Sequence, residues 1–140
     1  MKLIDVYASP EAARVLYELL AERNPEQNIS HKAMPSFDEH CAFVASKPYQ
    51  AWYLIVDNTN MNAAPKIVGA IYLTKAREVG LFIFKRYQAM GYGKAALRRL
   101  NALHPGRLLA NVAPGNGRSH RFFSDRGFKL VQVTYELSGQ

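Results

Sequence analysis

The stretch "YQAMGYGKAALRRL", Tyr87 to Leu100, sets two glycines one residue apart ahead of a run with helical periodicity. Ala96, Leu97, Leu100 and Leu103 fall on one stripe, which predicts a helix from Gly91 to Leu103 with Lys94, Arg98 and Arg99 on its polar side. A glycine pair lets successive backbone N–H groups turn into a concave nest, and the helix beyond it adds a positive end. Gln88, Ala89, Met90, Gly91, Tyr92 and Gly93, with Lys94 beside them, therefore read as a cradle for phosphate. A plain tight turn followed by solvated cations accounts for the same residues, so the segment by itself leaves both readings standing.

Two familiar phosphate motifs fit poorly. Gly91-x-Gly93-x-x-Ala96 satisfies the dinucleotide fingerprint, yet no acid lies about 20 residues on to hold a ribose. A Walker A loop needs glycine where Gln88 stands and Ser or Thr where Ala95 stands.

Further out, the 140 residues suit one domain, with 49% hydrophobic and 21% charged residues as in globular proteins. A formal net charge of +7 favours a polyanionic partner: a cofactor phosphate, a nucleotide or nucleic acid. Cys41 is the only cysteine, which excludes an intrachain disulfide and suits a reducing cytoplasm. The opening residues lack a secretory core, no apolar run reaches the roughly 18 residues of a membrane span, and no metal-ligand spacing occurs.

Lys2 to Tyr7 reads as a strand, and Ser9-Pro10 as the cap and first turn of a helix reaching Arg23. Ser36 and Glu39 have capping-box spacing for a second helix. Ala51–Asp57, Lys66–Thr74 and Val79–Phe84 read as an antiparallel meander whose first loop is Asp57 to Pro65. Arg107–Val112 reads as a strand, Arg118–Asp125 as a helix ended by Gly127, and Phe128–Leu137 as a final strand. The order is β-α-α-β-β-β-α-β-α-β: a mixed α/β (α+β) domain, its central sheet mostly antiparallel, flanked by about four helices.

At this point "EVGLFIFKRYQAMGYGKAALRRL" resembles the fourth strand and pyrophosphate loop of the GCN5-related N-acetyltransferase (GNAT) superfamily. Gln88-x-x-Gly91-x-Gly93 matches the family pattern Q/R-x-x-G-x-G/A. "NVAPGNGRSHRFFSDRGFKL" resembles the family's next strand, turn and helix through Asn116, Ser119, Phe123 and Gly127-Phe128. The two blocks stand in the family's order, and the likeness extends plausibly from Lys2 to Leu137.

The resemblance implies an acetyl-CoA-dependent N-acetyltransferase whose acceptor amine attacks the thioester directly through a tetrahedral intermediate. It places Leu81, Phe82 and Ile83 beside the pantetheine arm by edge augmentation, with the Ile83 N–H facing the thioester oxygen. Residues Gln88 to Gly93 take the pyrophosphate, and Lys85, Arg86, Lys94 and Arg98 are candidates for the outlying phosphates. Asn116 bonds the arm, and Ser119, Phe122 and Phe123 flank it. Many members carry tyrosine at Phe123 as the acid for the departing thiolate. Phenylalanine keeps only the packing role, so the acid is either absent or borrowed, with Tyr92 and Tyr135 as substitutes. Glu78 is the first candidate for general base, and a solvated strand-end charge is the plainer reading of it. The position of a glutamate used by some relatives on the fifth strand holds Asn111.

His31 and His40 fall where the family builds its acceptor pocket. His104 reads as a helix C-terminal partner and His120 as a surface residue. "NISHKAMPSFDEHCAFVASKPYQAWYLI" resembles relatives that acetylate nucleotide-linked amino sugars, through Ser36, Glu39, His40 and Phe43. With the positive charge this favours a small anionic amine; a protein amine, a polyamine or a modified nucleic-acid base is the alternative. A non-catalytic acetyl-CoA-binding module is a further alternative, as is a homodimeric state.

Overall fold

A computed structural model describes residues 1–23 and 34–139. One five-stranded sheet has the order β1-β2-β3-β4-β5. Its strands are β1 (Lys2–Asp5), β2 (Ala51–Asp57), β3 (Lys66–Leu73), β4 (Glu78–Ile83) and β5 (Leu109–Ala110). The first four are antiparallel neighbours and β5 joins β4 in parallel, so the expected meander and mixed sheet are both present. Four helices, α1 (Ala12–Glu22), α2 (Phe37–Ala45), α3 (Tyr92–Leu103) and α4 (Gly117–Asp125), cover the two faces.

Because both faces are covered, the central strands read as nearly unbroken apolar runs such as "AWYLIVD". On one face Trp52, Leu54, Val56 and Ala70 pack against Leu16 and Leu19 of α1. On the other, Ile55, Val68, Ile71 and Leu73 pack against Ala96, Leu97 and Leu100 of α3, with Phe122, Phe123 and Phe128 at the margin. The register of β2 and β3 steps from Ile55↔Gly69 to Val56↔Ile67, leaving Val68 as the extra residue of a bulge.

Local signals behave unevenly. The capping box of Ser36 and Glu39 forms in both directions. α1 instead starts two residues beyond its expected proline, at Ala12, with Glu11 as a cap that makes no side-chain bond. β1 is cut short after Asp5, whose carboxylate accepts the Tyr7 N–H and turns the chain into a 3-10 turn over Val6–Ala8. β5 shrinks from the six expected residues to two.

The final strand is absent. Residues 129–139 carry no regular structure and are exposed, although their alternation is that of a strand. A strand forms only where its backbone groups find a ladder partner, and among the described residues none pairs with this segment.

His40, expected near the acceptor pocket, is instead buried between α1 and α2 against the Tyr17 ring. His31 lies outside the described residues. Burial pulls the His40 imidazole below its ordinary value, opposed by a hydrogen bond with the Ala13 backbone. The folded protein therefore takes up a proton there less readily than the unfolded chain, which protonates near pH 6.5. Its contribution to stability is complete above that value and is lost as the pH falls below it. Melting temperature should drop between pH 7.5 and pH 5.5, and the drop should shrink in His40→Leu; equal pH dependence in the two proteins would contradict this role.

Candidate active site

Each residue of a strand points its N–H and C=O to the same side, and neighbours alternate. The Phe84 N–H donates to the Val68 carbonyl, so Phe84 faces β3, and so does Phe82, two residues before it. Leu81 and Ile83 therefore present their backbone groups to the opposite edge. β5 pairs with β4 only at Glu78↔Leu109 and Val79↔Ala110, so beyond Val79 that edge is open. The sheet splays there, and a cleft of about 550 Å³ occupies the gap.

At the end of β4 the chain makes a 3-10 turn, Lys85–Tyr87, and enters the glycine turn. Ala89 adopts φ 62° and Gly91 φ 85°, two left-handed residues separated by one other, and Gly91 caps α3. Among the described residues, the N–H groups of Ala89 to Lys94 have no backbone acceptor, which leaves them available at the helix N-terminus in a turn of the kind that forms nests. The turn is held from outside. Tyr92 donates its hydroxyl to Asp57 at the end of β2. The Asp57 carboxyl is held well below the usual range, first by the Thr59 hydroxyl and then by Tyr92. The same bond raises Tyr92 above its ordinary value, which weakens it as a substitute proton donor.

Gln88 lines the cleft and is engaged by other residues of the chain. Its N–H is used within the chain, on the Lys85 carbonyl. Its side chain bridges the cleft instead, donating to the Ile83 carbonyl at 3.0 Å and accepting from Arg118 at 3.0 Å. Asn116 caps α4, its Oδ1 accepting the Ser119 N–H, so any bond to a ligand would come from its Nδ2.

Of the expected cofactor residues, Leu81, Phe82, Ile83, Gln88, Ala89, Gly91, Tyr92, Gly93, Lys94, Asn116, Ser119, Phe122 and Phe123 all line the cleft. Met90 does not; it is exposed. Lys85 also lines it, whereas Arg98 does not and Arg86 lies 3.8 Å from Glu22 in an exposed ion pair. Phe123 packs edge-on against Phe122 and Phe128, each at 5.1 Å, the packing role expected of it. Tyr135 is exposed in the C-terminal segment, away from its own cleft.

Glu78 sits outside the cleft lining, at the far end of β4. Five residues of extended chain put it about 16 Å along the strand from Ile83. Its carboxylate accepts from Asn111 and its N–H donates to the Thr74 hydroxyl. Its parity is that of Gly80 and Phe82, on the face where Tyr72 and Tyr49 stack at 3.9 Å.

Sequence reading missed Arg118 and Arg126 on α4, and Glu22 and Arg23 at the end of α1. Arg118, Phe122 and Arg126 follow at four-residue intervals, so helical periodicity was the available signal. The Arg126 guanidinium lies 4.2 Å over the Phe122 ring and donates to the Phe122 carbonyl. Glu22 accepts the Lys85 N–H, and Arg23 lies 4.0 Å over the Phe82 ring. Those placements depend on tertiary contacts that no local pattern announces. Among the described residues, no group of three potential metal ligands occurs, and no helix is long and apolar enough to cross a membrane.

An open strand edge thus leads into a left-handed turn at the start of α3, between two helix-covered faces. The acetyltransferase (GNAT) family model matches residues 13–128, and the chain belongs to that family. No curated protein matches the chain in sequence. Among solved structures it is similar to a domain from Methanocaldococcus jannaschii, with TM-score 0.74 and 19% identity over 96% of this chain and 93% of that one. An acetyltransferase from Thermus thermophilus gives TM-score 0.67 and 20% identity, covering 94% and 90%. An integron cassette protein from the mobile metagenome of V. cholerae gives TM-score 0.64 and 15% identity, covering 99% and 91%. These likenesses establish the shared fold.

The family uses acetyl-CoA as cosubstrate, and the residues present suit it. The free N–H groups of the turn could receive a diphosphate, Lys85, Lys94, Arg118 and Arg126 line the same cleft with positive charge, and the open edge of β4 could pair with a pantetheine arm.

Proposed function

We propose that residues 1–140 form one acetyltransferase unit that moves the acetyl group of acetyl-CoA to a primary amine of a small acceptor. The single observation that carries this is the open edge of β4 running directly into the nest at Ala89–Lys94, both on the wall of one cleft. The thioester supplies an activated acyl carbon with a thiol leaving group. The chain's part is to bind, orient and manage charge. The nest fixes the diphosphate, Leu81 and Ile83 hold the arm in register, and Phe122 and Phe123 close the apolar side. An N–H from Ile83 stabilises negative charge developing on the thioester oxygen, a contribution of several kcal/mol where the donor is preorganised.

The acceptor enters at the end bounded by Glu22, Arg23 and Phe82. Arg23 over the Phe82 ring supports an anionic amine, of which a nucleotide-linked amino sugar is one form. Glu78 serves as base only by way of a chain of several waters, since its carboxylate shares a sheet face with Phe82 but stands about 16 Å along the strand from Ile83. Phe123 has no hydroxyl, so the thiolate leaves without a proton from this position; a thiol pKa near 8.5 makes that tolerable. Cys41, unpaired, suits a reducing cytoplasm.

Thiol release from acetyl-CoA against a panel of amines tests the proposal. Glu78→Gln should lower turnover roughly 100-fold near neutral pH, the usual scale of general-base assistance, and leave acetyl-CoA affinity unchanged. Equal turnover in the two proteins would remove Glu78 from the mechanism. Acetyl-CoA binding with no thiol release from any amine would favour the non-catalytic module, the reading that Phe123 keeps open.

A further inference from the structure

Arg23 stands at the C-terminal end of α1 and lines the cleft, and among the described residues it has no ion-pair partner. Its guanidinium lies 4.0 Å over the Phe82 ring. Its Nε is buried and, among the described residues, makes no hydrogen bond. A guanidinium taken partly out of water with donors to spare is costly unless an anion meets it. The neighbouring acid does not. Glu22 accepts the Lys85 N–H at 2.9 Å and lies 3.8 Å from Arg86, so that carboxylate is spent in tying α1 to the end of β4.

A second donor reaches the same place from β3. Tyr72 pairs with Gly80 in the β3–β4 ladder. A Cβ built at Gly80 would lie 2.0 Å from the Tyr72 Cζ and 2.5 Å from its hydroxyl oxygen, so the phenol folds across β4 into the space a side chain would fill. Gly80 has no left-handed torsion to explain it; the room it leaves for Tyr72 does. Gly80 and Phe82 share one face of β4, which sets the Tyr72 hydroxyl one step along the strand from the ring beneath Arg23. Tyr49 stacks on Tyr72 at 3.9 Å, the ring planes 6° apart. Burial raises both phenols above their ordinary value and the Arg23 charge pulls both back, so guanidinium and hydroxyls share one neighbourhood. Both phenols keep their protons at neutral pH and serve as donors.

We infer that Arg23, with the Tyr72 and Tyr49 hydroxyls beside it, receives a carboxylate of the acceptor, and that the acceptor is a compact amino carboxylate, a free amino acid or a close analogue. This rests on the acetyl-transfer reading and narrows its acceptor. The Phe82 ring covers one face of the guanidinium, so its hydrogen bonds run in the plane of the fork, the geometry that a flat two-oxygen anion satisfies. The phenols supply donors for the lone pairs that the fork leaves over. Phe82 directly precedes Ile83, whose N–H addresses the thioester oxygen in that reading. The anion and the attacked carbon are then separated by little more than one side chain, which suits an amine and an acid joined through a few atoms.

The test is thiol release from acetyl-CoA with a panel of amino acids, each beside its primary amide, and with a nucleotide-linked amino sugar as a phosphate-bearing amine. In the wild type at least one acid should exceed its amide about 30-fold in kcat/KM, the scale of a charge-assisted hydrogen bond. Arg23→Gln should lower kcat/KM for that acid by about the same factor and leave the amide within about threefold, and Arg23→Lys should restore part of the difference. Tyr72→Phe should cost the acid roughly tenfold, with the amide again little changed. A merely structural Arg23 would lower acid and amide together, and that result would overturn the inference. So would an acid preference untouched by Arg23→Gln, or an amino sugar preferred to every acid and weakened by the same substitution, which would give the site to phosphate. Melting temperature with each amino acid, read without turnover, separates this inference from the reading beneath it. A shift that Arg23→Gln loses, with no thiol release from any amine, would uphold the subsite and remove the transfer. Thiol release with no preference for acid over amide would do the reverse, and neither shift nor release would sink both.

Discussion

Gly91→Asp is expected to eliminate the rise in melting temperature that acetyl-CoA gives the wild-type protein. Two effects act in the same direction. Gly91 holds φ 85°, a conformation that costs a residue with a Cβ about 1–2 kcal/mol. The larger effect is electrostatic: the substitution sets a carboxylate among the N–H groups that would otherwise receive a diphosphate. A ligand at a hundredfold excess over its dissociation constant stabilises by about 2.7 kcal/mol, or roughly 8 °C for a chain of this size. Loss of that shift is easy to read. Gly91→Asn is the control, because asparagine tolerates the left-handed region and adds no charge; it should keep most of the shift. No atom lies within 4 Å of a Cβ built at this position, so neither variant meets a steric block. A full shift in Gly91→Asp would mean that the coenzyme is held elsewhere.

Gly69→Ala should cost about 3 kcal/mol of stability, the upper end for overpacking, and lower the melting temperature by roughly 10 °C. Gly69 sits opposite Ile83 in the β3–β4 ladder. A Cβ there would overlap the Phe82 carbonyl oxygen and come within 3.0 Å of the Ile83 Cα. Both are backbone atoms of β4, so no rotamer change relieves the overlap. β4 itself must move, and β4 carries the open edge. Any folded fraction should therefore bind acetyl-CoA more weakly than wild type. Chemical denaturation and a thermal shift with the ligand measure the two effects separately. Gly93→Ala is the milder counterpart, its Cβ meeting Leu81 and Phe122 side chains at 3.4 Å, an ordinary contact. A Gly69→Ala protein as stable as wild type would show that β4 can be displaced without cost.

The elements legible in the sequence share a property: each is decided by atoms within a turn or two of chain. The glycine pair was read as a turn opening α3, and Gly91 does cap that helix, while Gly93 lies inside it. Ser36 and Glu39 form their capping box because both partners lie on one helical turn. Gly127 ends α4 because the cap needs only the last turn and Phe128. Leu81–Ile83, Gly91–Lys94, Asn116, Ser119, Phe122 and Phe123, grouped by the family resemblance, all line the cleft. Arg118, Arg126, Glu22 and Arg23 were not foreseen, because what brings them to the cleft is the packing of α1 and α4 on the sheet. His40 shows the same limit. Its spacing was compatible with a pocket, but the pairing of α1 with α2 buried it.

The sequence by itself determined the local conformations here: which segments are extended or helical in preference, where glycine must stand, and that a positive turn opens α3. Only the tertiary structure decided which strand edges stay open, that Glu78 stands back from the cleft, and that the strand-like segment after Phe128 finds no ladder among the described residues. Local preference is set by torsions and neighbouring dipoles along the backbone, whereas a strand exists only when a second backbone, arriving from elsewhere, takes up its hydrogen bonds.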